Sequence, residues 1–198
     1  MFKKNEYVMH DTRGVCQVED VTPLDFSEKE KLYYKLVPVF DRDTILYVPV
    51  CGGPTGKISL RPVITRDEAL ELIRMMPEIE AKSYTNFKEQ AQICREILYS
   101  RDQRERIALM KGIFQNGMKR KKSGKTLSAN ERESRKVAEA FLYGELAVAL
   151  DIPVDQVEDY IAGELKKRAL RNRADRPGLD FCAGLWYHRS YSGHVHRR

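Results

Sequence analysis

The chain has 198 residues, 42% of them apolar, and a formal net charge of +6. That length suits one domain or two small ones with an ordinary core, and no apolar run approaches the ~18 residues of a membrane span. The charged start Met1-Phe2-Lys3-Lys4-Asn5-Glu6 lacks the apolar segment of a secretory signal. Four scattered cysteines (Cys16, Cys51, Cys94, Cys182) form no C-x-x-C pair, which argues against a zinc knuckle and fits reduced thiols in a cytoplasm.

Up to about Thr65 the residues read as strands. Tyr7–His10 and Val15–Val18 flank a turn at Arg13-Gly14, where glycine permits positive φ. Leu32–Val39 and Thr44–Val50 follow, joined by the polar turn Asp41-Arg42-Asp43, and Ile58–Ile64 supplies a fifth strand. β-Branched and aromatic residues dominate and the connections are short. Pro38 and Pro49 cannot donate to a ladder, so they belong at strand ends or edges. The expected product is a small, strongly bent antiparallel sheet or partial barrel.

From Thr65 onward the signals are helical. Thr65, Asn86, Asp102 and Ser128 each carry Glu three positions later (Glu68, Glu89, Glu105, Glu131), the pattern of a capped helix start. Met76-Pro77 ends the first helix and Pro153 starts a fifth. Val137, Phe141, Tyr143, Leu146 and Leu150 form one apolar stripe, and Val154, Val157, Ile161 and Leu165 another, both assigned to core. The fold class is α+β: a β module over residues 1–65, then an all-helical module of about five helices over 66–171. Residues 171–178 read as a linker. The remaining basic tail holds Phe181, Trp186, Tyr187 and Tyr191; such a tail can stack on bases, but its composition fits a mobile segment.

Charge is concentrated between Arg104 and Lys136, where eleven bases face three acids, a surplus larger than that of the whole chain. The flanks are acidic, with five bases and eight acids over 67–103 and three and seven over 137–170. A focused positive block suggests a polyanion, most commonly nucleic acid; the alternative is a solvated helix face with a basic loop. The residues chosen to hold phosphate are Lys119, Arg120, Lys121, Lys122 and Lys125, with Arg132 and Arg135 beside them. The amide end of the helix capped by Ser128 would also favour an anion there.

No enzyme is expected. Ser123-Gly124-Lys125-Thr126 imitates the end of a P-loop, but Lys119 stands where that motif needs glycine and no strand precedes it. The glycine-rich run Cys51–Gly56 sits between strands as a flexible turn. His188, His194 and His196 lie in the tail, without the surroundings that fix metal ligands. Neither a metal nor a cofactor is implied, and no Ser/His/Asp or Cys/His spacing suggests catalysis.

Taken in order, Phe2–Val8, Arg13-Gly14-Val15, Tyr33–Leu36, Tyr47–Val50 and Leu60–Val63 resemble the N-terminal module of the CarD/CdnL family, a module shared with the transcription-repair coupling factor. Leu98–Asp102, Leu127–Glu131 and Ala140–Ala147 resemble its helical half, so the likeness spans roughly Met1 to Ile161. The resemblance implies a Tudor-like barrel that binds the RNA polymerase β subunit, through a surface including Tyr34, Tyr47, Val48 and Pro49. It also implies a helical domain over the upstream edge of melted promoter DNA, where bases hold phosphates and a Trp wedges into the minor groove.

This chain departs from that pattern at the wedge, because its sole Trp is Trp186 in the tail. The family spacing places Phe87, or Ser83 beside Tyr84, at the wedge position; Phe87 could equally be a packing residue. Tyr47 stands where some members carry a polymerase-contacting Arg. The expectation is a cytoplasmic, monomeric bacterial transcription regulator with polymerase β and promoter DNA as partners. The rivals are an RNA-binding or ribosome-associated adaptor and a protein-binding scaffold.

Overall fold

The computed structural model describes residues 1–23, 31–51, 60–83, 87–98 and 100–172. Five strands come first: β1 (Tyr7–His10), β2 (Gly14–Pro23), β3 (Leu32–Pro38), β4 (Leu46–Pro49) and β5 (Leu60–Pro62). They form one curled antiparallel sheet in the order β4-β3-β2-β1-β5. Gly14 takes φ +76 at the β1–β2 turn. Pro38, Pro49 and Pro62 each close a strand, where a missing N–H does not interrupt the ladder. The register shifts between Val18 and Asp20 as β2 passes β3, and such a bulge adds bend to a short sheet. Val8, Cys16, Val18, Tyr34, Leu36, Val48 and Leu60 fill the concave side.

Five helices follow: α1 (Arg66–Met75), α2 (Phe87–Leu98), α3 (Gln103–Lys122), α4 (Ala129–Leu150) and α5 (Val157–Asn172), with 3-10 turns at Met76–Glu78 and Val154–Gln156. Two predicted caps close as full capping boxes, Thr65 with Glu68 and Ser128 with Glu131. Asp102 also caps its helix, accepting from the Arg104 amide at 2.8 Å, while Glu105 turns toward Lys82. Asn86 lies outside the described residues. The fifth helix begins one turn later than Pro153, after the 3-10 turn, and Val154 is exposed. Arg171 and Asn172 are the last residues of α5 rather than part of a linker; the tail beyond them lies outside the described residues.

The single stripe expected on α4 understates it. Ala138, Leu142, Leu146, Ala147 and Leu150 join a core with α1, α3 and α5, whereas Phe141 turns the other way, onto Met9 and Val15 of the sheet. Burying that ring contributes on the order of 1.5–3 kcal/mol. Helix α4 is therefore shared, packing against the helical core on one side and the β1–β2 hairpin on the other.

The strap between α1 and α2 is drawn tightly over α3. The Lys82 amide donates to the Ala108 carbonyl at 2.9 Å, and the Lys111 ammonium reaches the Ile79 carbonyl at 2.6 Å. The Lys82 carbonyl then passes over Gly112, where a Cβ would lie 2.0 Å from its oxygen. Only glycine fits that crossing.

Candidate nucleic-acid interface

The basic block resolves into two populations. Lys119, Lys121, Lys122 and Lys125 are exposed at the far end of α3 and in the turn after it, and none of them forms an ion pair with a described residue. Arg132 and Lys136 are also exposed, on the first turns of α4; Arg132 donates to the Leu127 carbonyl at 2.7 Å. These six cations form one pole of the molecule.

Four of the other bases serve the fold. Arg106 is buried, its guanidinium 4.9 Å from the Phe141 ring centroid. Burial, and secondarily the nearby Arg61 charge, push its pKa down to about 10, which still leaves it protonated at neutral pH. Lys111 holds the strap. Arg135 pairs with Glu139 at 2.6 Å. Arg120 pairs with the fully buried Glu131 at 3.1 Å. Arg120 and Arg135 are thus ion-paired within the fold, unlike the four lysines.

Two local details bear on the pole. Ser123-Gly124-Lys125 is the C-terminal cap of α3: Gly124 takes φ +67, its amide donates to the Lys121 carbonyl at 3.1 Å, and the Lys125 amide to the Arg120 carbonyl at 2.8 Å. This is a Schellman closure, which accounts for the glycine that imitated a P-loop. The helix end is satisfied by backbone amides, so the lysine side chains there are not needed as caps. The amide end of α4, expected to favour an anion, is instead taken by its own cap. The Glu131 carboxylate accepts from the Ser128 amide at 2.8 Å, and the Ser128 hydroxyl from the Glu131 amide. A carboxylate already stands there, so an added phosphate would have to be held by the lysines.

Of the wedge candidates, Tyr84 lies outside the described residues. Phe87 is the first residue of α2, but its side chain is outside the description.

In the sheet, β4 is an edge strand. Its Tyr47 is exposed, as are Ile45 just before it and Leu32 at the start of β3. Tyr47 stands opposite Lys35, and Pro49 opposite Tyr33, so one outer face carries aromatic and apolar side chains around the Lys35–Glu19 pair. The other two residues assigned to this surface point inward. Tyr34 is buried and its hydroxyl accepts from the Phe2 amide at 2.9 Å; Val48, opposite it, is buried in the same core. Alternation along the strands requires this, because Tyr34 and Val48 share the face opposite to Tyr47. Their side chains cannot touch a partner on the outer face.

Sequence reasoning missed the seam between the modules. The Glu145 carboxylate of α4 is fully buried and accepts from Arg61 of β5 (Nη2 to Oε2, 2.7 Å; Nη1 to Oε1), from the Ile64 amide at 3.2 Å, and from the Gln103 side-chain amide of α3. Beside it, Arg101 holds Asp11 of the β1–β2 turn through two bonds, at 3.1 and 3.0 Å. A cleft of about 330 Å³ opens along this seam, with Arg61, Arg101, Gln103 and Arg104 among its walls. The available signal was a lone acid inside the apolar run Phe141–Leu150, because a charge in a core stripe needs a partner.

Among the described residues no group of three His, Cys, Asp or Glu side chains could hold a metal ion, and no helix is long and apolar enough to cross a membrane. Comparison with curated proteins returned no match. A family model does match: residues 2–52 fit the CarD-like/TRCF RID domain, a span that takes in β1 to β4. RID domains interact with the RNA polymerase β subunit, and the exposed β4 edge with Tyr47 lies inside the matched residues. The N-terminal module of this chain is thus a CarD-like/TRCF RID domain.

Proposed function

We propose that this protein is a bacterial cytoplasmic transcription regulator and not an enzyme. Its sheet, a Tudor-like module, docks on RNA polymerase β, and its helical module holds promoter DNA at the upstream edge of the bubble, modulating open-complex stability. The observation that carries the reading is the pairing of an RID domain with a pole of exposed lysines that no described acid neutralises. Among the described residues no strand pairs with the outer side of β4, and Tyr47 flanks that edge; an edge strand with an aromatic neighbour suits addition of a partner strand. Lys119, Lys121, Lys122 and Lys125 supply contacts to phosphate that are independent of sequence. Docking on polymerase makes the DNA contact intramolecular, so a few lysines suffice without strong affinity for free DNA. Phe87 and Tyr84 remain the candidates for an aromatic wedge at the bubble edge.

The test is the lifetime of an open promoter complex with the full chain present. Alanine at Lys119, Lys121, Lys122 and Lys125 should shorten it and reduce the log–log salt slope by roughly 3–4, about one unit per lost phosphate contact. An unchanged lifetime and slope would remove the phosphate assignment. Alanine at Phe87 or Tyr84 separately tests the wedge, through bubble stability at constant salt. Co-purification separates the rival: recovery of polymerase β supports this reading, and recovery of ribosomal RNA without polymerase supports an RNA-binding adaptor.

A further inference from the structure

We infer that Glu145 is a positioning residue that sets the angle between the sheet and the helical module. Its carboxylate receives four donors from three segments: two from Arg61 of β5, one from the Ile64 backbone, and one from Gln103 of α3. Four donors fill the lone-pair directions of a carboxylate. The guanidinium is held through both terminal nitrogens, which fixes the relative plane of the two groups as well as their distance.

The apolar part of the seam cannot do this. Met9, Val15 and Phe141, with Val39, Val63, Val137 and Val148 around them, supply adhesion, but burial of apolar surface is non-directional and tolerates sliding. A buried ion pair contributes little net stability compared with a well-packed apolar pair. Its particular contribution here is geometry. Arg101 and Asp11 form a second two-bond pair across the same seam, in an exposed position where its contribution is small.

The strand order gives the lock its leverage. Arg61 lies in the edge strand opposite to β4, and Glu145 lies on the helix whose first turn carries Arg132. The lock therefore sets where the basic pole stands relative to the β4 edge. This mechanical claim does not depend on the proposed function; only its consequence for a promoter complex rests on that reading.

The test attaches spin labels at Glu19→Cys on β2 and Glu133→Cys on α4, both exposed positions, with Cys51 and Cys182 replaced by serine. Pulsed dipolar spectroscopy on the full chain then reports the distance distribution between modules. The native seam should give one narrow distribution. Arg61→Met with Glu145→Met removes both charges and keeps the volume apolar, so the chain should still fold, while the distribution broadens by about twofold as other angles become populated. Glu145→Gln, which keeps the side-chain shape, should also broaden it, and Glu145→Asp should partly restore it.

A folded double variant, or a folded Glu145→Gln chain, with the native distribution would overturn the inference, because apolar packing alone would then set the angle. Broadening with an unchanged open-complex lifetime would uphold the positioning role and remove the promoter reading instead.

Discussion

The Arg120 guanidinium lies 3.1 Å from the carboxylate of Glu131, a fully buried acid that also closes the capping box of Ser128. One ion pair thus joins the last turn of α3 to the first turn of α4. Its position within the run Lys119–Lys122 conceals this role. Arg120→Ala removes this cation from beside a buried carboxylate and should cost about 1–2 kcal/mol, less than a fully buried pair because Arg120 is partly solvated. The Lys121 side chain is exposed, and Lys121→Ala should stay within about 0.5 kcal/mol of wild type. Thermal melting of the two variants checks this, and equal melting temperatures would contradict it.

The opposed faces of β3 and β4 make a second prediction. Tyr47→Ala should weaken capture of RNA polymerase β while leaving the melting temperature nearly unchanged, since Tyr47 is exposed. Tyr34→Phe should do the converse. It removes the acceptor for the Phe2 amide at a cost of about 0.5–1.5 kcal/mol, and polymerase capture should persist. Loss of capture in Tyr34→Phe at a temperature where the chain is folded would show that the inward face takes part in binding.

Glycines separate fold from fit. Gly112→Ala drives a methyl group into the Lys82 carbonyl, a backbone atom that cannot swing aside, and overpacking of this kind costs about 1–3 kcal/mol. Gly163→Ala in α5 meets nothing within 4 Å and should stabilise by roughly 0.5–1 kcal/mol, through helix propensity alone. Denaturant midpoints of the two variants should move in opposite directions.

The Thr65 box gives a pH signature. Hydrogen bonds from the Thr65 backbone and side chain hold the Glu68 carboxyl below its ordinary range. A depressed folded-state pKa means that the contribution is present above the unfolded value, about 4.3 for Glu, and is lost as pH falls through the folded value. Glu68→Gln should therefore melt below wild type at pH 7, and the two curves should converge in acid. A difference that persists undiminished at pH 2 would rule out the carboxylate as its cause.

What could be read from the residues alone was what local chemistry decides. Thr65–Glu68 and Ser128–Glu131 are three positions apart, and a cap needs no distant partner. Tyr7–His10 follows from alternation and the turn glycine beside it. Glu145 could not be read this way, because Arg61 lies 84 positions earlier in the chain and no periodicity connects them. Arg106 is an intermediate case. It shares a helical stripe with Leu109, Met110 and Ile113, all buried, so its spacing already placed it on the core face, whereas a charge count treats it as surface. Summed charge locates a basic region but does not separate cations spent inside the fold from those left for a partner.

The strand order has one more consequence. With β4 and β5 at opposite ends of five strands, four interstrand steps of about 4.8 Å separate the β4 edge from the edge gripped by α4, roughly 19 Å along the sheet. That span is a count of hydrogen-bonded rows, not a loop length. The turn at Asp41–Asp43 can lengthen or shorten without altering it, because loops tolerate such changes while ladders keep their spacing. The sheet acts as a ruler whose graduations are its strands.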